Sequence, residues 1–168
     1  AIAYAHLFNK VLQKEQSLIY SLPPISIAHI KRMSRSFGMI QFSKGNRPDI
    51  KTGYTLDDNV RALMALCHVY VKTKDPSCEK YIKKYLTFIR YCQQPDGSFL
   101  NYVDKQLAFT TQNAEINLED SNARAIYALG YFISLRGKFP DVWTEDATEI
   151  IEQTFDMIMK MKSPRSIA

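Results

Sequence analysis

Apolar residues recur every three to four positions along most of this chain, the spacing of helices buried on one side. Val60, Leu63, Met64 and Cys67 share one face of a helix predicted from about 56 to 73. Ile82, Tyr85, Leu86, Ile89 and Cys92 do the same over about 77 to 93. Two more helices are predicted at about 120 to 136 and 144 to 162, the last burying Ala147, Ile150, Ile151, Phe155, Ile158 and Met161. Upstream, Ile2, Ala5, Val11 and Leu12 lie among polar neighbours in a helix from 2 to about 20. Pro23-Pro24 stops it, and Pro24 suits the first position of a helix over about 25 to 35. That helix carries Ile27 and Ile30, with His29 and Arg32 on a neighbouring face.

The links between helices alternate in length. Short links fall at 74–76 and 137–143, and long ones at 36–53 and 94–118. The long links resemble each other: Ser36-Phe37-Gly38-Met39-Ile40-Gln41-Phe42 parallels Pro95-Asp96-Gly97-Ser98-Phe99-Leu100-Asn101-Tyr102. Alternation of this kind puts the long links at one end of the helices, where a site would be built.

The helix starts repeat as well. Asn59-x-Arg61-Ala62 followed by Ala65-Leu66 aligns with Asn122-x-Arg124-Ala125 followed by Ala128-Leu129, and an acidic pair precedes each. A repeated helix start predicts helical hairpins with polar groups gathered at one rim.

Composition adds bounds. The 168 residues are 46% hydrophobic and 23% charged, which fits one globular domain with a core of its own. Net charge is +5 and the pI near 9.1, but the basic residues are scattered, so a solvated helix face is expected and no nucleic-acid partner. Cys67, Cys78 and Cys92 are odd in number and form no CxxC pair; Cys67 and Cys92 lie on apolar helix faces, which predicts small core residues and a reducing, cytoplasmic setting. No apolar run is long enough to span a bilayer, and no signal-peptide pattern opens the chain.

Gly38-Met39-Ile40-Gln41, Asn46-Arg47-Pro48, Gly53 through Leu63, and Glu119-Asp120-Ser121-Asn122-Ala123-Arg124-Ala125 together resemble a bacterial family. Its members carry a six-hairpin (α/α) toroid like that of glycosidases, often behind a nucleotide-sugar glycosyltransferase domain, and some carry a mannosyltransferase assignment. The likeness runs from His29 onward. Val60 stands where alanine is usual, and Asn122-Ala123 where His-Gly is common. The resemblance implies an all-α fold, a partial (α/α)6-toroid-like array of helical hairpins with short extended segments in the long loops. It also implies that residues 1–22 form the tail of a preceding transferase domain acting in cis, that 23–168 form the partial toroid, and that open toroid edges are free to pair with another copy. The implied activity is carbohydrate-active and glycosidase-like within a larger glycosyltransferase, with an oligosaccharide or glycan acceptor as partner. The alternatives are a non-catalytic glycan-binding or scaffolding module and, last, a terpenoid or prenyl toroid.

Hydrolytic sugar chemistry needs two carboxylates facing each other, roughly 5 Å apart for retention and roughly 6.5–9.5 Å for inversion. Asp57 or Asp58 on one hairpin and Glu119 or Asp120 on another are the candidate catalytic residues. Adjacent Asp57 and Asp58 point about 100° apart on a helix and cannot form the pair alone. Glu119 is the better candidate for the acid, given an apolar site. His29, Arg32, Tyr54, Asn59, Arg61, Tyr102, Asn122 and Arg124 are candidate substrate contacts, with Tyr54, Phe99, Tyr102 and Trp143 able to stack on sugar rings. Against this chemistry stands helix architecture: Thr55 with Asp58 reads as a capping box, Asn117-Leu118-Glu119-Asp120 can do the same, and Asp57–Arg61 and Asp120–Arg124 are i,i+4 ion pairs. The spaced oxygen ligands of a calcium loop and a phosphate-cradling glycine loop are both absent, so neither a metal nor a cofactor is expected.

Overall fold

Thr55 starts the helix on which the others are stacked: its extended backbone ends a short strand, and its hydroxyl accepts the Asp58 N–H at 3.2 Å. The computed structural model describes residues 2–13 and 23–167. In chain order the helices are α1 (Ile2–Leu12), α2 (Ala28–Met33), α3 (Leu56–Thr73), α4 (Glu79–Cys92), α5 (Gln112–Glu115), α6 (Glu119–Ser134), α7 (Asp141–Glu152), α8 (Phe155–Ile158) and α9 (Pro164–Ile167). Four two-residue strands accompany them: β1 (Ser43–Lys44), β2 (Arg47–Pro48), β3 (Tyr54–Thr55) and β4 (Tyr102–Val103). The fold is predominantly helical, and no described helix is long and apolar enough to cross a membrane.

Helices α3 and α4 form one antiparallel hairpin, in which the Tyr70 hydroxyl late in α3 donates to Glu79 at the start of α4 (3.0 Å). Helices α6 and α7 form a second, and the two pack side by side in the same direction. Asp57 and Arg124 meet near the two helix starts, and His68 and Tyr131 meet farther along. The outer pair is parallel too: Lys83 lies over the Trp143 ring, and the Gln93 amide donates to the Ile150 carbonyl (2.8 Å). Between the layers Leu63, Leu66, Ile82, Phe88, Ile89, Leu129, Phe132 and Ile150 are almost wholly buried. Each such side chain stabilises the packed pair by about 1.5–3 kcal/mol, and that burial carries the hairpin stack.

The long links are tied to the helices by a device that occurs twice. Asn59 accepts the Met39 N–H (2.8 Å) and donates to the Met39 carbonyl (3.3 Å) and the Thr55 carbonyl (2.7 Å). Asn122 accepts the Phe99 N–H (2.7 Å) and donates to the Phe99 carbonyl (2.8 Å) and the Leu118 carbonyl (2.9 Å). Each amide thus clasps the loop before its helix in both directions. The loops match: Ser34 pairs with Met39 and Gln93 with Phe99 by single bridges, and Ile40 and Leu100 return their N–H groups to Met33 and Cys92. The duplication therefore includes the end of the preceding outer helix, with α2 as counterpart of the last turns of α4. Gly38 belongs to the clasp, since a Cβ there would stand 2.6 Å from Asn59 Oδ1. The two long links are joined by β3 pairing antiparallel with β4, Tyr54 opposite Val103. Gly53 permits that approach, with φ +67 and the place of its missing Cβ only 2.2 Å from the Val103 carbonyl oxygen.

Two expectations about elements change, and one lies beyond the described residues. Helix α2 starts at Ala28 and not after Pro24; residues 23–27 are irregular, and Ser26 accepts the Ala28 N–H (3.4 Å). The end of the N-terminal helix predicted to run to about 20 lies outside the described residues, which follow it to Leu12. The last predicted helix begins earlier, at Asp141 after Pro140, and stops at Glu152. Thr154 breaks it by turning its N–H and hydroxyl back to the Ile151 carbonyl, at 2.8 and 2.7 Å. Phe155, beyond the break, is 59% exposed where burial was expected, and Ile158 and Met161 are only half-buried.

All three cysteines are free and buried, as their apolar placing predicts for Cys67 and Cys92. Desolvation pushes the Cys67 thiol up to about 12, the nearby Cys78 adding to it, so it stays protonated at neutral pH. Replacing either clasp, Asn59→Ala or Asn122→Ala, leaves the N–H and the carbonyl of the clasped loop residue, Met39 or Phe99, without their partner. Urea unfolding should show a loss of about 2–4 kcal/mol for each, and Asn→Asp should not rescue it because a carboxylate cannot donate.

Candidate functional site

The starts of α3, α6 and α9 stand in a row, and their charges alternate along it. Arg61 reaches Asp57 at 2.8 Å and Asp58 at 3.7 Å. Asp57 turns its other oxygen to Arg124 at 2.8 Å, Arg124 holds Asp120 at 2.8 Å, and Arg165 stands 3.9 Å from Asp120. The two i,i+4 pairs form as expected, but Arg124 also crosses to the neighbouring helix. Its hydrogen bond to Asp57, reinforced by the charges of Asp57 and Asp120, raises its basicity above the ordinary arginine value against some desolvation.

Every candidate catalytic carboxylate has a partner. Asp58 accepts the Thr55 hydroxyl at 2.5 Å, so the capping pair closes side chain to side chain. Glu119 Oε2 accepts the Lys162 and Ser163 N–H groups (3.0 and 2.6 Å) and so fastens the C-terminal segment to the start of α6. At that start the Asn117 side chain accepts the Glu119 N–H at 2.8 Å. Carboxylates held by guanidinium and backbone N–H groups are rigid hydrogen-bond acceptors already engaged with the protein.

Several expected substrate contacts have other duties. Asn59 and Asn122, 0% and 3% exposed, are spent on the loop clasps. Tyr54 is buried with its ring against Phe37 and Phe88, and Phe99 is buried in the core. Trp143 belongs to the outer layer beside Lys83. His29 and Arg32 are exposed on α2, and neither lines the cleft between the helix starts.

That cleft is what the repeat leaves open. It measures about 200 Å³ and is lined by Asp57, Asn101, Tyr102, Asn117, Leu118, Asp120 and Ser121 among others. Two asparagines that helical periodicity does not single out fix one wall: Asn101 lines it, and Asn113 binds the backbone of Asn101 and Tyr102. Asn101 accepts the Leu56 N–H on its carbonyl (2.8 Å) and the Asp57 N–H on its side chain (3.0 Å), capping α3 from another loop. Asn113 accepts the N–H groups of Asn101 and Tyr102, both at 2.8 Å, and returns its own N–H groups to the Tyr102 and Thr110 carbonyls. Their one signal in the sequence is their place in a long polar link beside Tyr102.

No family model matches the chain, and no curated protein matches it significantly.

Arg124 is the link on which the row of charges depends. Arg124→Met should cost about 1–2 kcal/mol in chemical unfolding because Asp57 and Asp120 then lose the cation that bridges them. Arg61→Met, at a side chain 56% exposed, should cost no more than about 1 kcal/mol and lose that difference in high salt.

Proposed function

We propose that this chain is a glycan-binding segment of an α/α toroid, which holds a carbohydrate in the cleft between successive helix starts without performing catalysis itself. The observation that carries this reading is that all four rim carboxylates are occupied by arginines, a threonine hydroxyl or backbone N–H groups. Groups so engaged are fixed in place, which suits binding. A sugar presents neighbouring hydroxyls that bridge fixed acceptors and donors, and a carboxylate held by a guanidinium binds them without first being ordered. The cleft offers Asp57 and Asp120 as acceptors, the Asn117 amide as a mixed partner, and the half-buried Tyr102 ring as an apolar wall for a sugar's C–H face. Its volume of about 200 Å³ suits one hexose unit.

The resemblance to glycosyltransferase-associated toroids supports the same class of ligand, a glycan acceptor presented to a transferase acting in cis. On this reading the glycosidase-like activity first expected from the resemblance gives way to its non-catalytic alternative. Glu119, the candidate acid for that activity, is engaged in anchoring the C-terminal segment.

A screen of mannose and glucose oligosaccharides by saturation-transfer NMR and calorimetry tests the proposal. Binding should appear, and Asn117→Ala and Tyr102→Ala should each weaken it about tenfold with the circular dichroism of the folded chain retained, as expected for one lost hydrogen-bond or stacking contact, Asn117→Ala also losing about 1 kcal/mol of stability with its cap on α6. Glu119→Gln should leave the affinity as it was. If no sugar binds in the millimolar range, or if the chain cleaves a glycoside and Glu119→Gln abolishes cleavage, the reading is wrong.

A further inference from the structure

The duplication that builds the two hairpins also marks a surface it leaves uncovered. Aligning Asn59 with Asn122 aligns Asp57, Val60 and Met64 of α3 with Asp120, Ala123 and Tyr127 of α6. These are i, i+3 and i+7 positions, one stripe of a helix. On α3 this stripe begins at the Asp57–Arg124 contact and runs along the side where α6 packs; Val60 is 1% exposed and Met64 is half-buried. On α6 the same stripe borders an open groove of about 750 Å³, and Tyr127 is 68% exposed. The C-terminal segment lines one side through Met161 and Arg165 and leaves the groove open.

The opposite edge carries the complement. Arg124 and Ala128 lie one turn apart on α6, from Arg124's cross-contact with α3 onward, and Ala128 is fully buried. Their counterparts on α3 are Arg61 and Ala65. Arg61 is 56% exposed against 31% for Arg124, and Ala65 is half-buried. Arg61 holds its own Asp57 as Arg124 holds Asp120, and among the described residues no carboxylate of another helix pairs with it. Asp120 has its own arginine and only a distant approach from Arg165.

We infer that the occupant of the α6 groove is the α3 edge of a second copy of this chain, with Arg61 of one copy pairing with Asp120 of the next. The chain would then repeat between copies the contact it already makes between its two hairpins. Such a contact is heterologous, head to tail, and each copy keeps one free edge of each kind. Assembly therefore proceeds past the dimer, to a closed ring or a short row.

Sedimentation velocity of the 168-residue chain over a roughly hundredfold range of concentration should show species larger than a dimer growing with concentration. Tyr127→Lys blocks the α6 edge and Ala65→Lys the α3 edge, and each variant alone should sediment as a monomer with wild-type circular dichroism. Mixed together, they should form one discrete 1:1 dimer, because each retains the edge that the other lacks. Arg61→Glu, at an exposed position, replaces Ala65→Lys should the latter fail to fold. A wild-type chain that stays monomeric throughout overturns the inference, and so does a mixture of folded variants that stays monomeric. So do single variants that still dimerise, which would require a symmetric interface elsewhere.

Discussion

A buried side-chain amide fastening a loop to the helix that follows it is the constraint from which the remaining geometry derives. Only asparagine fits this position. The site demands an acceptor for one N–H and donors for two carbonyls within one short side chain, which excludes aspartate and leucine on chemistry and glutamine on reach. Since the clasp touches loop backbone only, the loop's side chains are free to differ. Met39 and Phe99 occupy the same place in the two clasps with unlike side chains. The demand then spreads outward. The close approach of the amide leaves no room for a Cβ at Gly38, and the loops so held bring β3 and β4 into register.

With both helix starts set against their loops in the same way, α3 and α6 enter level with each other. Levelness turns two ordinary i,i+4 pairs into a row. Asp57 lies beside Arg124 only because the second helix begins at the same height as the first. Exposed ion pairs contribute little to stability individually, typically below about 1 kcal/mol. Their consequence here is directional: the carboxylates are aimed and fixed, and the cleft beside them has walls of known polarity. Asn101 closes the arrangement by capping α3 from the second loop, so cleft, strand pair and helix start form one connected unit.

The helix over 56–73 was legible because its apolar period, its Thr55 cap and its acidic first turn agree with one another. The end of α7 was not. Its apolar period continues past residue 152, and the break is made by Thr154 together with the Gly97 turn, where a Cβ would stand 1.9 Å from the Gln153 carbonyl oxygen. The Gly97 contact is a tertiary event and leaves no local trace. At the rim, the repeat correctly singled out Asn59 and Asn122, but their polarity suggested ligand contact when it served loop backbone. The Asp57–Arg124 pair stayed hidden because each partner already had a satisfactory neighbour four residues away. Tyr54 misled for a related reason: a tyrosine in a long link suggests exposure, yet Phe37 and Phe88 enclose it.

These outcomes share a logic that separates scaffold from site in a duplicated fold. A residue that recurs with the same partners in both copies does a job each hairpin needs, as the asparagine clasps and the Asp–Arg pairs do. Recognition of one ligand by one cleft requires a group that one copy has and the other lacks. Leu56 against Glu119, Asp58 against Ser121 and Met64 against Tyr127 are such positions, and so are Asn101, Tyr102 and Asn117 in the second link. Of these, Asn101, Tyr102, Asn117 and Ser121 line the cleft, while Glu119 ties down the C-terminal segment and Tyr127 borders the open groove. On the glycan-binding reading proposed above, specificity would belong to the departures from the repeat, with the repeated acids holding those departures in place.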